Sequence, residues 1–146
     1  MGKTFVLILS LILTASVAQA QKAVGCAPAT PDDKTMWGHI ATEIDGDPVA
    51  RLSGRVQDMN GGSISQALVE VFADDGDRTP TSDTAKRLVG CITGLNGKYH
   101  FKGLRKGNYI LAVGARGFNI TFVKFKFDPS DQKARKNLDV ALHVGT

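Results

Sequence analysis

The sequence predicts an all-β protein, a seven-stranded antiparallel Greek-key β-sandwich. Between Leu52 and Val144, apolar and polar side chains alternate in short segments, which is the spacing of a strand with one buried face. Turn-forming residues separate these segments about every dozen residues, as in sandwiches built from short strands. No segment after the first twenty residues keeps the helical period over three turns.

The first three predicted strands lead up to the strongest turn signal. Leu52–Asp58 alternates and is followed by Asn60-Gly61-Gly62, whose residues tolerate a positive φ. The second strand is Ala67–Ala73, and its predicted buried face consists of Ala67, Val69, Val71 and Ala73. The third, Lys86–Thr93, follows a polar acidic loop and precedes Asn96-Gly97, a dipeptide typical of tight hairpins.

The last four predicted strands begin after this turn. Glycines near residues 103–107 and at position 117 separate them, and a polar connection of residues 128–136 precedes the seventh. Their predicted core-facing residues are Tyr99 and Phe101 on the fourth strand, Tyr109, Leu111, Val113 and Ala115 on the fifth, Thr121, Val123, Phe125 and Phe127 on the sixth, and Leu138, Val140, Leu142 and Val144 on the seventh.

The N-terminal half of the sequence indicates export and then an irregular arm. Residues 1–20 have a positive start, an apolar run and the small-residue site Ala18-Gln19-Ala20, which predict a signal peptide. The apolar run is shorter than the roughly 20 residues of a membrane-spanning helix. We therefore expect a secreted or periplasmic protein that does not span the membrane. Residues 21–50 keep neither period and predict a partly irregular arm, in which Met36–Ile44 forms a short helix or an irregular strand, and residues 51–146 form the domain.

Cys26 and Cys91 are the two cysteines of the chain. An exported protein meets oxidising conditions, so the two thiols can form a disulfide that holds the arm against the domain. The alternative is a buried free Cys91 with an exposed Cys26. Their number and spacing exclude a redox C-x-x-C site and a zinc cluster.

Charge is distributed unevenly along the chain. Residues 21–97 carry seven Lys and Arg against eleven Asp and Glu, whereas residues 98–146 carry ten against three. This asymmetry favours an acidic partner for the C-terminal strands or head-to-tail association, although solvation of exposed strand faces explains the same charges. Export and the acidic N-terminal half argue against a nucleic-acid partner.

The sequence shows no motif for catalysis, for a metal or for another cofactor. His39, His100 and His143 lack the spacing of zinc peptidase ligands, and no G-x-S-x-G nucleophile elbow occurs. The acidic loop that starts at Asp74 lacks the spacing of an EF-hand. We therefore expect a protein that is not an enzyme.

The outward face of the sixth strand, Phe118–Phe127, is the candidate binding patch. Ile120, Phe122, Lys124 and Lys126 lie together there, so that apolar groups adjoin two cations as in a contact surface for a protein, a glycan or an acidic polymer. Alternatively, a neighbouring strand or the arm covers Ile120 and Phe122 while the lysines extend to solvent. Trp37, the single tryptophan, either packs the arm on the domain or lies at a ligand face.

The assembled strands resemble the carboxypeptidase regulatory-like domain, a transthyretin-like (prealbumin-like) sandwich. The residues that carry the resemblance are Gly54, Val56 and Asp58, then Ala67, Val69 and Val71, and finally Thr93, Gly97, Tyr99, Phe101, Leu104, Gly107, Tyr109, Leu111, Val113, Ala115, Gly117 and Phe118. The likeness spans roughly Leu52 to Val144 and concerns turn glycines and core positions, so it is specific for a fold more than for an activity.

The resemblance implies an exported, non-catalytic accessory module that binds a protein or polysaccharide partner or braces a cell-envelope structure. Two alternatives stay open: a carbohydrate (starch-like) binding module, which would use exposed aromatic rings, and a small-ligand carrier of transthyretin type. Intradiol dioxygenases share a related sandwich and use Tyr and His around iron. Tyr99 and Tyr109 are predicted at core positions, which argues against such a site. The oligomeric state is left open.

Overall fold

A computed structural model describes residues 22–33, 41–76, 80 and 86–145 of the chain. These residues form an all-β structure in which ten strands are described. The strands are β1 (Lys22–Ala23), β2 (Ala27–Pro28), β3 (Ala41–Asp45), β4 (Ser53–Asp58), β5 (Leu68–Ala73), β6 (Arg87–Ile92), β7 (Lys98–Lys102), β8 (Gly107–Gly114), β9 (Ile120–Phe127) and β10 (Val140–Leu142). The predicted signal peptide and Trp37 lie outside the described residues.

The strands form two sheets that pack around a shared core, the arrangement of a β-sandwich. One sheet has the order β1-β7-β4-β10, and the other has the order β2-β6-β5-β8-β9-β3. Both sheets are mixed, because β10 runs parallel to β4 and β3 runs parallel to β9. The prediction of a purely antiparallel sandwich is therefore wrong at these two pairs. Alternation along a strand reports which face is buried and carries no information on the direction of its neighbour.

The core between the sheets contains the side chains that the alternation assigned to it. Each sheet contributes one buried face, with residues such as Val56 and Tyr99 from the first sheet and Val69, Leu111 and Phe125 from the second. The assignment is wrong at two strand ends. Ala73, the last residue of β5, and Val144, two residues beyond β10, are exposed.

The arm is more regular than its sequence indicates. Two-residue strands β1 and β2 pair with β7 and β6, so the arm passes from one sheet to the other. Ala41–Asp45 is a strand with a continuous parallel register to β9, which corrects the helical alternative for this part of the arm. Strands of two residues are too short to show a period, and pairing with a longer neighbour supplies their hydrogen bonds.

Asp128 follows β9 and connects it to the polar segment before β10. Its Oδ2 lies 2.7 Å from the Lys106 ammonium, and its Oδ1 accepts hydrogen bonds from the Ser130 hydroxyl at 2.6 Å and the Ser130 backbone N–H at 3.0 Å. The Lys106 bond and then the Ser130 bond lower the pKa of Asp128 from 3.8 to about 2. The folded protein thus binds this proton less readily than the unfolded chain does.

We expect this carboxylate to stabilise the fold above about pH 4, and its contribution to be lost as the pH falls from 4 toward 2. Urea unfolding at pH 5, 4, 3 and 2 tests this. The free energy of unfolding should fall more steeply for the wild type than for Asp128→Asn, whose side chain does not titrate. Parallel pH profiles for the two proteins would contradict the assignment.

Candidate functional site

The predicted patch on β9 is buried at its two apolar positions. Ile120 and Phe122 are each 3% exposed, and they pack with Phe72, Ile110 and Ala112 in a second apolar cluster on the face of the six-stranded sheet that points away from the main core. Of the two interpretations that the sequence leaves open for Ile120 and Phe122, the structure has the covered one, and the exposed apolar patch is wrong. The two residues do share a face, but that face is covered, because period two fixes the direction of a side chain and not what lies over it.

The two lysines of the predicted patch are in different situations. The Lys124 Nζ lies 2.6 Å from Glu43 Oε1 on the neighbouring strand β3, and this bond raises the pKa of Lys124. Lys126, two residues further along β9, is exposed. With its apolar members buried and Lys124 engaged by a carboxylate, the patch has little left to offer a partner.

Cys26 and Cys91 are joined by a disulfide in the structure, with Cα atoms 5.8 Å apart. Cys26 lies between β1 and β2, and Cys91 lies on β6 beside β2. The covalent link therefore holds the arm where it crosses from one sheet to the other. Of the two interpretations that the sequence leaves open, the structure has the bonded one.

A polar cleft of about 690 Å³ lies on the outer face of the four-stranded sheet. Strands β4 and β7 form its floor, and the segments next to β1 and β10 form its sides. Its polar lining consists of the cations Arg51, Arg55 and Lys98, the imidazole of His100, the hydroxyl of Ser53, the amides of Gln57, Asn96 and Asn137, and the carboxylate of Asp139.

Like charges face each other across the strands of this sheet. Arg55 on β4 is the direct partner of Lys98 on β7, and Lys22 on β1 is the direct partner of Lys102 on β7. All four side chains are exposed, and alternation along β7 places Lys98 and Lys102 on the same face. Like charges directly opposite one another destabilise a sheet, so this face carries an electrostatic cost in the free protein.

Acidic groups compensate these cations little. Asp139 is the carboxylate of the cleft, and its Oδ1 accepts the backbone N–H of Arg55 at 2.8 Å. Within the part of the chain that the structure describes, the ion pairs involve Arg87, Lys106, Lys124 and Arg135, and none of them lies at the cleft. The cleft therefore presents a positive field to solvent.

His100 is placed at the centre of the cationic face. It is the direct partner of Ser53 on β4, and Lys98 and Lys102 lie two residues away on either side. Partial burial, and then the charges of Lys102 and Arg51, lower the pKa of His100. These surroundings favour the neutral imidazole, whereas an anion bound in the cleft would favour its protonated form.

The floor of the cleft is closed by a contact between β4 and the segment that leads into β10. The buried Tyr99 hydroxyl donates a hydrogen bond to the Leu138 carbonyl, and the Leu138 N–H donates to the Ser53 carbonyl at 2.7 Å. Burial, and then the charge of Asp139, raise the pKa of Tyr99. The Tyr109 hydroxyl donates to the Arg105 carbonyl at 2.7 Å, so both tyrosine hydroxyls are engaged by the backbone.

Sequence reasoning placed His100 and Lys102 on an outward face but missed the cleft. The missing information is which strands are neighbours, because Arg55 and Lys98 meet only when β4 pairs with β7. The outward positions of the first and fourth predicted strands did contain a usable signal. They carry cations and neutral polar groups at every second residue and no carboxylate that would neutralise the cations.

The described ranges were also compared with two further kinds of feature, a membrane-spanning helix and a metal-binding cluster. We find no helix among these residues with the length and apolar character to cross a bilayer. Across the same residues, no three His, Cys, Asp or Glu side chains come together in a way that could hold a metal ion.

Comparison with known proteins gives a distant likeness. No family model matches the sequence, and no curated protein matches it either. Solved structures with a similar arrangement include a single-residue mutant of Acinetobacter radioresistens catechol 1,2-dioxygenase, at 14% identity and a TM-score of 0.39, over 75% of this chain and 59% of that one. This chain thus spans about three fifths of the length of that enzyme.

Two further solved structures are similar at the same level. Chlorocatechol 1,2-dioxygenase from Pseudomonas putida has 12% identity and a TM-score of 0.42, with 83% of this chain and 72% of that chain covered. 3-Chlorocatechol 1,2-dioxygenase from Rhodococcus opacus 1CP has 10% identity and a TM-score of 0.42, with 86% and 73% covered. At these values the likeness carries no argument about activity.

Proposed function

We propose that this chain is an exported, non-catalytic module that binds an anionic protein or glycan partner through the basic cleft of its four-stranded sheet. The proposal also includes the family that the sequence resembles: the sandwich would be transthyretin-like, of the carboxypeptidase regulatory-like kind. The observation that carries the binding function is the presence of two like-charge cross-strand pairs, Arg55 with Lys98 and Lys22 with Lys102, on one exposed face.

Like charges directly opposite one another on two strands destabilise a sheet, whereas an opposite-charge pair there contributes roughly 0.2–1 kcal/mol relative to two alanines. A sequence under selection for stability alone would place a carboxylate or a threonine at one member of each pair. Local features that oppose folding concentrate where a protein performs its function. Two such pairs beside one cleft are therefore better explained by an anionic partner than by solvation of a strand face.

The chemistry of the cleft favours recognition over catalysis. Its carboxylate, Asp139, accepts a backbone hydrogen bond, and the Tyr99 hydroxyl below it is buried and donates to a carbonyl. The charges that act on His100 are those of Lys102 and Arg51, so its surroundings are those of an anion-binding group more than of a general base paired with an acid. The polar lining also differs from the apolar channel that a small-ligand carrier of transthyretin type would use.

The substitution Lys98→Glu separates binding from stability. It replaces the like-charge contact with Arg55 by an opposite-charge contact, so we expect the free energy of unfolding to rise by up to about 1 kcal/mol. Capture of the partner from a secreted or envelope fraction should nevertheless be lost, because the field of the cleft is reversed at its centre. Urea unfolding and affinity capture on the same protein measure the two effects.

Lys126→Glu is the matched control, since it makes the same change in net charge on an exposed residue of the other sheet. Its cross-strand partner is the neutral Asn108. This variant should capture the same partner as the wild type. Equal capture by the wild type and the Lys98→Glu variant would refute the proposed role of the cleft.

A further inference from the structure

We propose that the ligand of the basic cleft is an anionic polysaccharide, a polymer that carries carboxylate or sulfate groups among many hydroxyls. This inference rests on the proposed binding function and adds the chemical class of the partner. It depends on three features of the cleft: the spacing of its cations, the neutral polar groups between them, and the small share of apolar side chains in its lining.

The cations are arranged in two rows along the strands. Lys98, His100 and Lys102 occupy successive outward positions of β7, which are roughly 7 Å apart because side chains on one face repeat every second residue. Arg55 lies on the neighbouring strand β4, and Arg51 lies in a bend two residues before that strand. A single small anion would engage one or two of these groups. The rows fit a ligand that presents several negative charges over a comparable length.

Neutral hydrogen-bonding groups alternate with these cations. Ser53 lies between Arg51 and Arg55 in the chain, and Gln57 follows on the same face of β4. The amides of Asn96 and Asn137 complete the two sides. The Ser53 hydroxyl lies 3.1 Å from both the Lys136 carbonyl and Asn137 Oδ1, and Asn96 Oδ1 accepts the Lys98 backbone N–H at 3.1 Å. What remains for a ligand is the NH₂ donors of the side-chain amides and the Ser53 oxygen as an acceptor, and these groups suit the hydroxyl groups of sugar rings placed between charged groups.

An acidic peptide fits the lining less well. Protein interfaces depend on aromatic and other apolar anchors that enter pockets, whereas Val24 is the aliphatic side chain of this lining and Tyr99 is buried beneath it. Stacking of sugar rings on aromatic side chains is likewise not the mode of recognition that this lining offers. Charge-assisted hydrogen bonds to acidic groups, together with hydrogen bonds to hydroxyls, would supply the affinity.

The test is a titration of the full mature chain with four polymers of matched length: polygalacturonate, dextran sulfate, neutral dextran and poly-glutamate. We expect polygalacturonate or dextran sulfate to bind, and the affinity to fall with added salt. Lys98→Glu should weaken this binding about tenfold or more, as expected for the loss of one charge-assisted contact, while Lys126→Glu should change it little. Neutral dextran should not bind. The anionic glycan that binds more tightly identifies the acidic group of the ligand, a carboxylate for polygalacturonate and a sulfate for dextran sulfate.

Histidine titration by NMR gives a second readout that is local to the cleft. The pKa of His100 should rise when the anionic glycan is bound, because the ligand offsets the charges of Lys102 and Arg51. His143 is exposed and is not part of the cleft lining, so its NMR signals should not move when the glycan is added.

Two results would overturn the inference. One is that poly-glutamate binds as tightly as either anionic glycan, which would assign the cleft to an acidic protein and leave the binding function intact. The other is that the Lys98→Glu and Lys126→Glu variants bind the glycans equally, which would show attraction to net charge without a site. The capture experiment does not depend on the chemical class of the ligand. Equal capture by the wild type and the Lys98→Glu variant would therefore contradict the binding function itself.

Discussion

Removal of the disulfide by Cys26→Ala with Cys91→Ala should lower the free energy of unfolding by about 4 kcal/mol. The two cysteines are 65 residues apart in sequence, and the link closes a loop of that length in the unfolded chain. Because the closed loop restricts the unfolded state, its loss increases the entropy of unfolding. Domains of this size have a total stability on the order of 5–15 kcal/mol, so the change is a large share.

The structure adds a local reason for a large effect. Strands β1 and β2 contain two residues each, and each pairs with a single neighbour, so few strand hydrogen bonds hold the first part of the arm, residues 22–28. Without the disulfide that joins residue 26 to β6, residues 22–28 should detach first and uncover position 91, which is fully buried on β6, and the edges of β6 and β7. Amide hydrogen exchange on these two strands should therefore accelerate more than exchange on β8.

Reduced wild-type protein is the control, because it lacks the cross-link but keeps both sulfur atoms. The reduced protein and the double variant should unfold at similar urea concentrations, well below that of the oxidised wild type. If the oxidised and reduced proteins unfold at the same urea concentration, the disulfide does not stabilise the fold.

The main core was accessible from the sequence because it depends on local information. The two-residue period along β5 and β7 fixes the faces of Val69, Val71, Tyr99 and Phe101, and the turn at Asn96-Gly97 separates β6 from β7. The hairpin expected at this turn is wrong, because β6 and β7 belong to different sheets. The residue that enables this turn is Gly97, which has a φ of 66°. Each of these features is decided within a few residues, so no knowledge of the sheet order is needed.

Features that depend on distant pairing were not accessible. The parallel contact of β4 with β10 joins residues more than eighty positions apart, and neither segment shows its neighbour. The burial of Ile120 and Phe122 is of the same kind, since an alternating strand with apolar residues on both faces gives no indication of what covers the second face. The cleft belongs here too, because its charge pairs exist only through the sheet order β1-β7-β4.

Gly54→Ala should be the most destabilising single substitution of the four-stranded sheet. A methyl group at this position would lie 2.0 Å from the Leu138 carbonyl oxygen and 3.0 Å from the Tyr99 hydroxyl. Backbone cannot yield as a flexible side chain does, so the chain before β10 must move away from β4. We expect a loss of about 3 kcal/mol or more, which combines overpacking with unsatisfied buried polar groups.

The movement should also separate the Tyr99 hydroxyl from the Leu138 carbonyl, and Tyr99→Phe isolates that component. Removing the hydroxyl leaves a buried carbonyl without its donor and should cost about 1–2 kcal/mol, less than Gly54→Ala. Gly94→Ala is the matched control, because a methyl group there meets no atom within 4 Å. Urea unfolding of the three variants gives the order directly. A Gly54→Ala protein as stable as the Gly94→Ala protein would show that β4 and β10 are not held at this distance.

Since Gly54 also lines the cleft, the same displacement should weaken glycan binding in parallel with stability, whereas Lys98→Glu should weaken binding alone.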